Sequence, residues 1–261
     1  MHVEHWHKLE AYWFSSQCES INYLLASVNV MAAKLIEDSA YRDRVFVFQD
    51  RKQAGRLLSK KLVNYADNKE KLILLALPAG GVPVAYAVAK ELCVRLSVMV
   101  VRKIQIPWNT EAGFGAVAWD GEVVLNEPLV EQLGLTDEEI QESLLKTNES
   151  IQERLRKFTV NKPMPNLKDK IVILVDDGLA SGFTMLAAAR SVKKGKPEKI
   201  VVAIPTASVN AISLLESEVD EIVCLNVRTG SSFAVADAYK NWYDLTDEEV
   251  IGILEKAQKL L

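Results

Sequence analysis

Two adjacent aspartates, Asp176 and Asp177, stand between five apolar residues and a run of small residues in the stretch IVILVDDGLASGFTM at residues 171–185. Two neighbouring carboxylates accept several hydrogen bonds, such as those that adjacent sugar hydroxyls offer, and they also suit the hydration shell of a Mg²⁺ ion. Two carboxylates directed at one anion would repel it. The doublet therefore indicates a ligand that presents hydroxyl groups or a divalent cation at this point of the chain.

The residues after the doublet have the composition of a phosphate-binding turn. Gly178 and Gly182 allow backbone conformations closed to larger residues and let a ligand approach closely. Free N–H groups at the start of a helix near Thr184, together with the hydroxyl groups of Ser181 and Thr184, form a site that suits a phosphate. A ribose 5-phosphate fits both halves of the pattern, with its phosphate in the turn and its 2′- and 3′-hydroxyls at the acids.

Unbroken apolar runs alternate with helical patterns on both sides of this stretch, which is typical of a parallel sheet covered on both faces. Ligands of such sheets bind beyond the carboxyl ends of the strands, where the aspartates stand. We predict an α/β fold with a doubly wound, mostly parallel sheet and helices on both faces. The predicted strands are Arg44–Phe48, Lys71–Leu77, Leu96–Val101, Ile171–Val175, Lys199–Ile204 and Ile222–Leu225.

Helices are predicted between these strands, and two of them begin at capping boxes, in which a threonine and a glutamate three residues later cap each other's backbone. Thr136 and Glu139 open a long helix, and Thr246 and Glu249 open the last one. A shorter helix follows the first predicted strand, with apolar positions at Ala54, Leu57, Leu58 and Leu62. We predict a helical, aromatic-rich N-terminal extension at residues 1–40 and one α/β domain at residues 41–261.

The composition is that of an ordinary soluble globular protein, since 49% of the 261 residues are hydrophobic and 25% are charged. A net charge of −4 gives no field that would attract nucleic acid. Three widely spaced cysteines, Cys18, Cys93 and Cys224, fit reduced thiols better than a disulfide framework or a zinc site. The apolar stretch Ile21–Ile36 is shorter than the about 20 residues of a membrane span. We therefore expect a cytoplasmic protein with neither a membrane nor a nucleic-acid partner.

The segment VILVDDGLASGFT resembles the signature of type I phosphoribosyltransferases, which bind phosphoribosyl diphosphate (PRPP). That signature has four hydrophobic residues, two acids, two further residues and then Thr-Gly-x-Thr; Ser181 replaces the first threonine and keeps its hydroxyl. The segment LPAGGVPVAYAVAKEL resembles the pyrophosphate loop of an uncharacterised bacterial and archaeal subgroup, in which an arginine is expected in place of Ala79. The resemblance covers about residues 42–250.

The resemblance implies roles for three groups of residues around PRPP. The ribose hydroxyls would be held by Asp176 and Asp177, which would also meet a Mg²⁺ cofactor indirectly, through those hydroxyls or through water. The 5-phosphate would lie in the turn formed by Gly178, Ala180, Ser181, Gly182, Phe183 and Thr184. The pyrophosphate would face Ala79, Gly80, Gly81, Arg102 and Lys103.

Two further segments take roles from the same resemblance. A mobile loop at about residues 106–126 would close over the site and exclude water, with Gly113, Gly115 and Gly121 as hinges, although its two short alternating runs also fit a β-hairpin. A hood at about residues 226–245 would bind the acceptor. Its aromatic residues would stack on a base, or two or three of them would only pack against the last helix: Phe233, Tyr239, Trp242 and Tyr243.

Two functions fit this pattern. The first is a Mg²⁺-dependent, homodimeric phosphoribosyltransferase that transfers the 5-phosphoribosyl group from PRPP to a nucleobase or similar small heterocycle and releases pyrophosphate. The second is a non-catalytic regulatory protein that binds PRPP or a nucleotide. Ala79 favours the second because it removes a cation from the pyrophosphate, whereas the intact doublet suits the first. A phosphatase-like protein would need an acid nucleophile after the first strand, where the sequence shows no such pattern.

Overall fold

The structure, a computed structural model, describes residues 32–158, 164–230 and 233–260. Within these ranges the strands are β1 (Lys34–Glu37), β2 (Leu72–Ala76), β3 (Leu96–Val98), β4 (Val101–Ile106), β5 (Asn109–Ala118), β6 (Val123–Leu125), β7 (Ile171–Val175), β8 (Lys199–Ser208) and β9 (Glu221–Arg228). The α-helices are α1 (Arg51–Lys61), α2 (Gly81–Leu92), α3 (Glu127–Leu133), α4 (Asp137–Phe158), α5 (Phe183–Lys194), α6 (Val209–Leu215) and α7 (Asp247–Gln258).

Six parallel strands form the central sheet in the order β1-β9-β8-β7-β2-β3. Every residue of β7 is buried. Its alternate side chains enter two separate apolar cores, Ile173 on one face of the sheet and Leu174 on the other. The unbroken apolar pattern of this strand therefore arises because both faces of the sheet are covered. The predicted doubly wound α/β fold is confirmed.

Strands β2 and β7 lie side by side at the centre of the sheet, in register from Leu72 and Ile171 to Ala76 and Val175. After β2 the chain moves outward to β3, whereas after β7 it moves in the opposite direction to β8 and β9. A crevice opens beyond the carboxyl ends of parallel strands at such a reversal. The topology thus brings the PAGG segment and the aspartate doublet to one place, although about 100 residues separate them in sequence.

Strands β4, β5 and β6 form a separate antiparallel sheet, and β5 and β6 lie within the residues predicted as a mobile loop. The two alternating runs thus form the predicted hairpin, whereas closure over the site stays a prediction. A Cβ atom at Gly115 would overlap the Val124 carbonyl oxygen, and one at Gly113 would overlap the Lys103 side chain. These two glycines permit close packing between strands, and their role as hinges stays a prediction. Gly121, with φ of +87°, lies in the turn between β5 and β6.

Two segments differ from the predicted elements. Residues 34–37 form edge strand β1 beside β9, so the compact α/β unit begins near Ala33 and the predicted boundary at residue 40 is wrong. The predicted strand Arg44–Phe48 is irregular, because its backbone bonds to a distant segment: the Phe46 N–H donates to the Asp237 carbonyl. The rest of the predicted N-terminal extension, with Cys18, lies outside the described residues.

Both predicted capping boxes are present. The Thr136 and Glu139 side chains accept hydrogen bonds from each other's backbone N–H groups, and Thr246 and Glu249 do the same at α7. Cys224 is buried and Cys93 exposed, both as free thiols. No helix in the described ranges is long and apolar enough to cross a membrane.

Helices α1 and α2 cross in close contact, and Gly55 makes this crossing possible. A Cβ atom at Gly55 would overlap the Val84 carbonyl oxygen and lie 2.8 Å from the Ala87 Cβ. The crossing matters for the site because α1 carries Arg51 at its first position and α2 begins directly after Gly80.

Gly55→Ala is expected to lower the free energy of unfolding by about 1–3 kcal/mol, the usual cost of overpacking, even though alanine favours helices. Gly252 of α7 is the matched control, since its Cβ would have nothing within 4 Å. Gly252→Ala should therefore raise the free energy of unfolding by about 0.5–1 kcal/mol. Urea unfolding of both variants measures the difference, and equal effects would contradict the close crossing.

Candidate functional site

Two α-helix N-termini at the crevice lack a side-chain cap, unlike the other α-helices of the described residues. A side chain accepts a first-turn N–H bond at five helices: Asp50 at α1, Asn126 at α3, Thr136 at α4, Ser208 at α6 and Thr246 at α7. Helices α2 and α5 instead follow Gly80 and Gly182, and neither has such a bond. Uncapped N–H groups and the positive end of the helix dipole attract anions. The crevice thus has two places suited to phosphate groups.

The turn between β7 and α5 is docked on the end of β8. The Leu179 N–H donates to the Thr206 carbonyl, and the Ser208 N–H donates to the Leu179 carbonyl, both at 3.0 Å. The Ser208 hydroxyl donates to the Ala180 carbonyl at 2.7 Å. Gly182 has a φ of +84°, a left-handed conformation that favours glycine. The turn therefore holds its shape through its neighbours.

The predicted 5-phosphate residues lie together in this turn. Ala180 and Ser181 are exposed at its tip, whereas Phe183 and Thr184 are half-buried in the first turn of α5. The Ser181 hydroxyl and the first N–H groups of α5 are thus near one another in sequence and open to a ligand.

The loop after β2 lies directly against the aspartate doublet. A Cβ atom at Gly80 would overlap the Asp177 carboxylate, and one at Gly81 would lie 2.5 Å from the Val175 carbonyl oxygen and 2.9 Å from the Asp176 Cα. Two glycines in succession are therefore required for the loop to approach β7 so closely. The structure brings Ala79, Gly80 and Gly81 together with the doublet, as their predicted roles require.

Asp176 is half-buried, and its Oδ1 accepts a hydrogen bond from the Asp177 N–H at 2.8 Å. Burial raises the pKa of this carboxyl group, and the neighbouring charge of Asp177 raises it further. Both effects disfavour the ionised form. An ionised Asp176 is therefore a group that a ligand hydroxyl or cation would stabilise.

Asp177 is buried, and its Oδ2 accepts a hydrogen bond from Arg51 Nε at 2.8 Å. Burial raises the pKa of Asp177, and the Arg51 guanidinium opposes this rise. The protein itself therefore balances the charge of Asp177. Arg51 thus engages one carboxylate oxygen of Asp177, and the contact of both aspartates with the ribose stays a prediction.

Arg51 also contacts two of the predicted hood residues. Its Nη1 donates to the Tyr243 carbonyl at 2.8 Å, and its guanidinium carbon lies 3.8 Å from the centre of the Trp242 ring. The Tyr239 hydroxyl donates to the Asp177 carbonyl at 2.6 Å, and Tyr239 is only 1% exposed. Tyr239 is thus a core residue, so the prediction that it stacks on a base is wrong.

The remaining predicted hood rings are placed differently. Phe233 is half-buried beneath the Arg228 guanidinium, which lies 5.5 Å from the ring centre. The Tyr243 side chain is exposed. Trp242 is half-buried against Tyr239, with 5.4 Å between the ring centres. Phe233 and Tyr243 are therefore the two hood rings that are neither buried in the core, as Tyr239 is, nor stacked on Arg51, as Trp242 is.

Arg102 and Lys103 are not brought together, because adjacent residues of β4 point to opposite faces of the strand. Arg102 borders a cavity of about 160 Å³ beside α4, which Ser143 and Thr147 also line. Burial lowers the pKa of Arg102, and nearby Arg154 lowers it further. The Lys103 Nζ donates to the Glu111 carbonyl on β5. Only one of the two cations can therefore face a given phosphate group.

Arg51 is not among the site residues predicted from the sequence, although the sequence contains a signal for it. Arg51, Ala54 and Leu58 recur at helical spacing and share the buried face of α1. A charged residue on an otherwise apolar stripe needs a buried partner, because an unpaired buried charge is costly. The spacing therefore pointed to a partner for Arg51 without identifying Asp177.

The comparison with protein families agrees with the geometry. The family model of the phosphoribosyl transferase domain matches residues 42–226, which is more than half of the chain. The chain therefore belongs to the phosphoribosyltransferase family, and the resemblance to its type I members is confirmed.

Individual proteins are similar to this chain in sequence or in structure. A Mycobacterium tuberculosis protein, provisionally named a phosphoribosyl transferase, is 34% identical over 213 residues, which are 82% of this chain and 47% of that protein. The chain thus spans about half the length of that relative. The crystal structure of a Thermus thermophilus protein has 34% identity and a TM-score of 0.64, and the match covers 80% of this chain and 98% of that one. Nearly the whole of the Thermus fold is therefore shared.

The two aspartates are expected to differ in their effect on stability. Asp177→Asn should lower the free energy of unfolding by about 3–5 kcal/mol, because it leaves the buried Arg51 charge without its partner. The folded-state pKa of Asp176 is raised, so its contribution to stability is greatest below the ordinary aspartate pKa of about 3.9 and is lost as the pH rises through the folded value.

Asp176→Asn should therefore stabilise the protein at about pH 7.5 and have less effect at about pH 4. Urea unfolding of the wild type and both variants at these two pH values measures the effect. A loss of stability at neutral pH in Asp176→Asn would contradict the assigned environment of the doublet.

Proposed function

We propose that the protein is a phosphoribosyltransferase that transfers the 5-phosphoribosyl group from PRPP to a nucleobase or similar small heterocycle and releases pyrophosphate. The observation that carries this proposal is the pair of uncapped helix N-termini on either side of the aspartate doublet. PRPP has the matching order of groups, since a phosphate and a pyrophosphate flank its ribose hydroxyls. A ligand with one phosphate would leave one of the two helix ends without an anion.

Each part of PRPP has a proposed contact. The 5-phosphate binds the N–H groups of α5 with the hydroxyls of Ser181 and Thr184, and the pyrophosphate binds the N–H groups of Gly80 and Gly81 at the start of α2. Asp176 accepts hydrogen bonds from the ribose hydroxyls. These contacts hold the ribose carbon in place and stabilise the charge that develops as pyrophosphate departs.

The donors of the site fit Mg²⁺ as an ion shared with the substrate. Within the described ranges no group of three or more His, Cys, Asp or Glu side chains is placed to hold a metal ion. Mg²⁺ is often bound by one or two carboxylates together with substrate phosphates and water, and the half-buried Asp176 offers one such carboxylate. Bound there, Mg²⁺ would neutralise charge on the pyrophosphate as it leaves.

Water has to be excluded, because it would attack the same ribose carbon as the acceptor. The turn between β4 and β5 is the proposed cover. Trp108 in this turn is 62% exposed, and Pro107 and the first three residues of β5, 109–111, are exposed as well. We propose that movement is confined to this turn, since the second half of β5 is buried.

The acceptor is proposed to bind in the hood, where Phe233 and the exposed side chain of Tyr243 are the candidate stacking residues. A cytoplasmic homodimer is part of the same proposal, and it is supported by the family resemblance. A regulatory protein that binds PRPP without turnover is the second candidate, and Ala79 is the observation that favours it, because the pyrophosphate loop lacks the expected arginine.

The direct test is pyrophosphate release from PRPP and Mg²⁺ in the presence of single purine and pyrimidine bases. We expect release with one base or a small group of bases, and a loss of about 100-fold or more in Asp176→Asn. The control Asp169→Asn makes the same change at an exposed position. PRPP binding without release with any base would support the regulatory protein instead.

Ala79→Arg is expected to tighten PRPP binding by about 10- to 100-fold, the effect of one charge-assisted hydrogen bond of about 1.5–3 kcal/mol. The control Ala40→Arg adds the same charge at an exposed position after edge strand β1, which β9, β8 and β7 separate from β2. Calorimetric titration with PRPP measures both variants. Equal affinities in the wild type and Ala79→Arg would show that the start of α2 does not face the pyrophosphate.

A further inference from the structure

Arg51 joins three segments that are distant in sequence. Its Nε bonds to Asp177 in the turn after β7, its Nη1 bonds to the Tyr243 carbonyl, and the face of its guanidinium covers the Trp242 ring. The residue is 7% exposed and occupies the first position of α1. Three different parts of one planar group are thus in use at the same time, which a guanidinium allows and a lysine ammonium does not.

The hood has its other contacts at the same point. The Tyr239 hydroxyl donates to the Asp177 carbonyl at 2.6 Å, and a Cβ atom at Gly178 would lie 2.6 Å from Val235 Cγ1. The hood therefore rests on the two residues that begin the turn after β7. These residues directly follow Asp176, and the Asp177 N–H is bonded to the Asp176 carboxylate.

We propose that Arg51 is a positioning residue that fixes the hood to the aspartate doublet, so that Asp177 serves this junction while Asp176 serves the ligand. A ligand that binds Asp176 affects the Asp177 backbone, because the Asp177 N–H donates to the Asp176 carboxylate. Asp177 in turn contacts the hood through Arg51 and Tyr239. Binding at the doublet then orders the hood before the acceptor arrives. The junction itself is independent of the proposed function, whereas the ordering by PRPP rests on it.

Arg51→Lys tests the junction, because it keeps the charge beside Asp177 but cannot keep all three contacts. Arg56→Lys is the matched control, since it makes the same change at an exposed position on the same helix. The readout is hydrogen exchange at two amides of the hood: the Lys240 N–H donates to the Phe48 carbonyl, and the Asn241 N–H donates to the Gln49 carbonyl.

Without ligand, these amides are expected to exchange about tenfold faster in Arg51→Lys than in the wild type, the effect of one lost hydrogen bond to a charged group, and to be unchanged in Arg56→Lys. Amides of β7 and β8 should keep their rates. Unchanged rates in the hood would overturn the proposal. Equal acceleration in the hood and the central strands would also overturn it, because it would show a purely structural role.

Trp242→Leu gives a second test if Arg51→Lys does not fold, since it removes the stacked ring and leaves the ion pair of Arg51 with Asp177. The same local acceleration in the hood is expected, and its absence would overturn the proposal. Added PRPP should slow exchange in the wild-type hood, and this slowing should be lost in Arg51→Lys at saturating PRPP. If PRPP binds neither protein, the proposed function fails, while the exchange rates without ligand still decide the junction.

Discussion

The buried ion pair between Arg51 and Asp177 is the interaction on which the arrangement of the site depends. Removing one partner of such a pair costs about 3–5 kcal/mol, because the other charge is left buried and uncompensated. The pair fixes where the start of α1, the turn after β7 and the hood meet. It also gives the two aspartates different surroundings, since Asp177 is paired with Arg51, whereas Asp176 is the carboxylate proposed to meet the ligand.

The rest of the site is assembled from features that are unfavourable without a ligand. Asp176 is half-buried beside another carboxylate, and α2 and α5 begin without the side-chain caps that the other described α-helices have. Anions at the helix ends and hydroxyls or a cation at Asp176 would compensate for all of these. The close approach at Gly80 and Gly81 places them within one crevice. The features that are unfavourable in the free site are therefore the ones through which it is proposed to bind a phosphorylated sugar.

Local patterns predicted what local interactions determine. The capping box at Thr136 and the apolar strand before Asp176 needed only short-range information, and both are present. The strand predicted at Arg44–Phe48 is absent. Its β-branched and aromatic residues favour a strand, but backbone hydrogen bonds to residues near 237–240 determine the conformation of this segment. The pairing of Arg51 with Asp177 spans 126 residues, and no spacing rule in the sequence selects one acid among 35. The turn after β7 could thus be predicted from the sequence, whereas the pairing of Arg51 with Asp177 could not.

The proposed function requires the crevice between β2 and β7 to bind PRPP. Calorimetric titration of the purified wild-type protein with PRPP, in the presence and absence of Mg²⁺, tests it most directly. We expect saturable binding that is tighter with Mg²⁺, because the ion would offset the repulsion between the pyrophosphate and Asp176. The absence of binding under both conditions would contradict the proposed function. It would show that the turn after β7 and the starts of α2 and α5 have a structural role only.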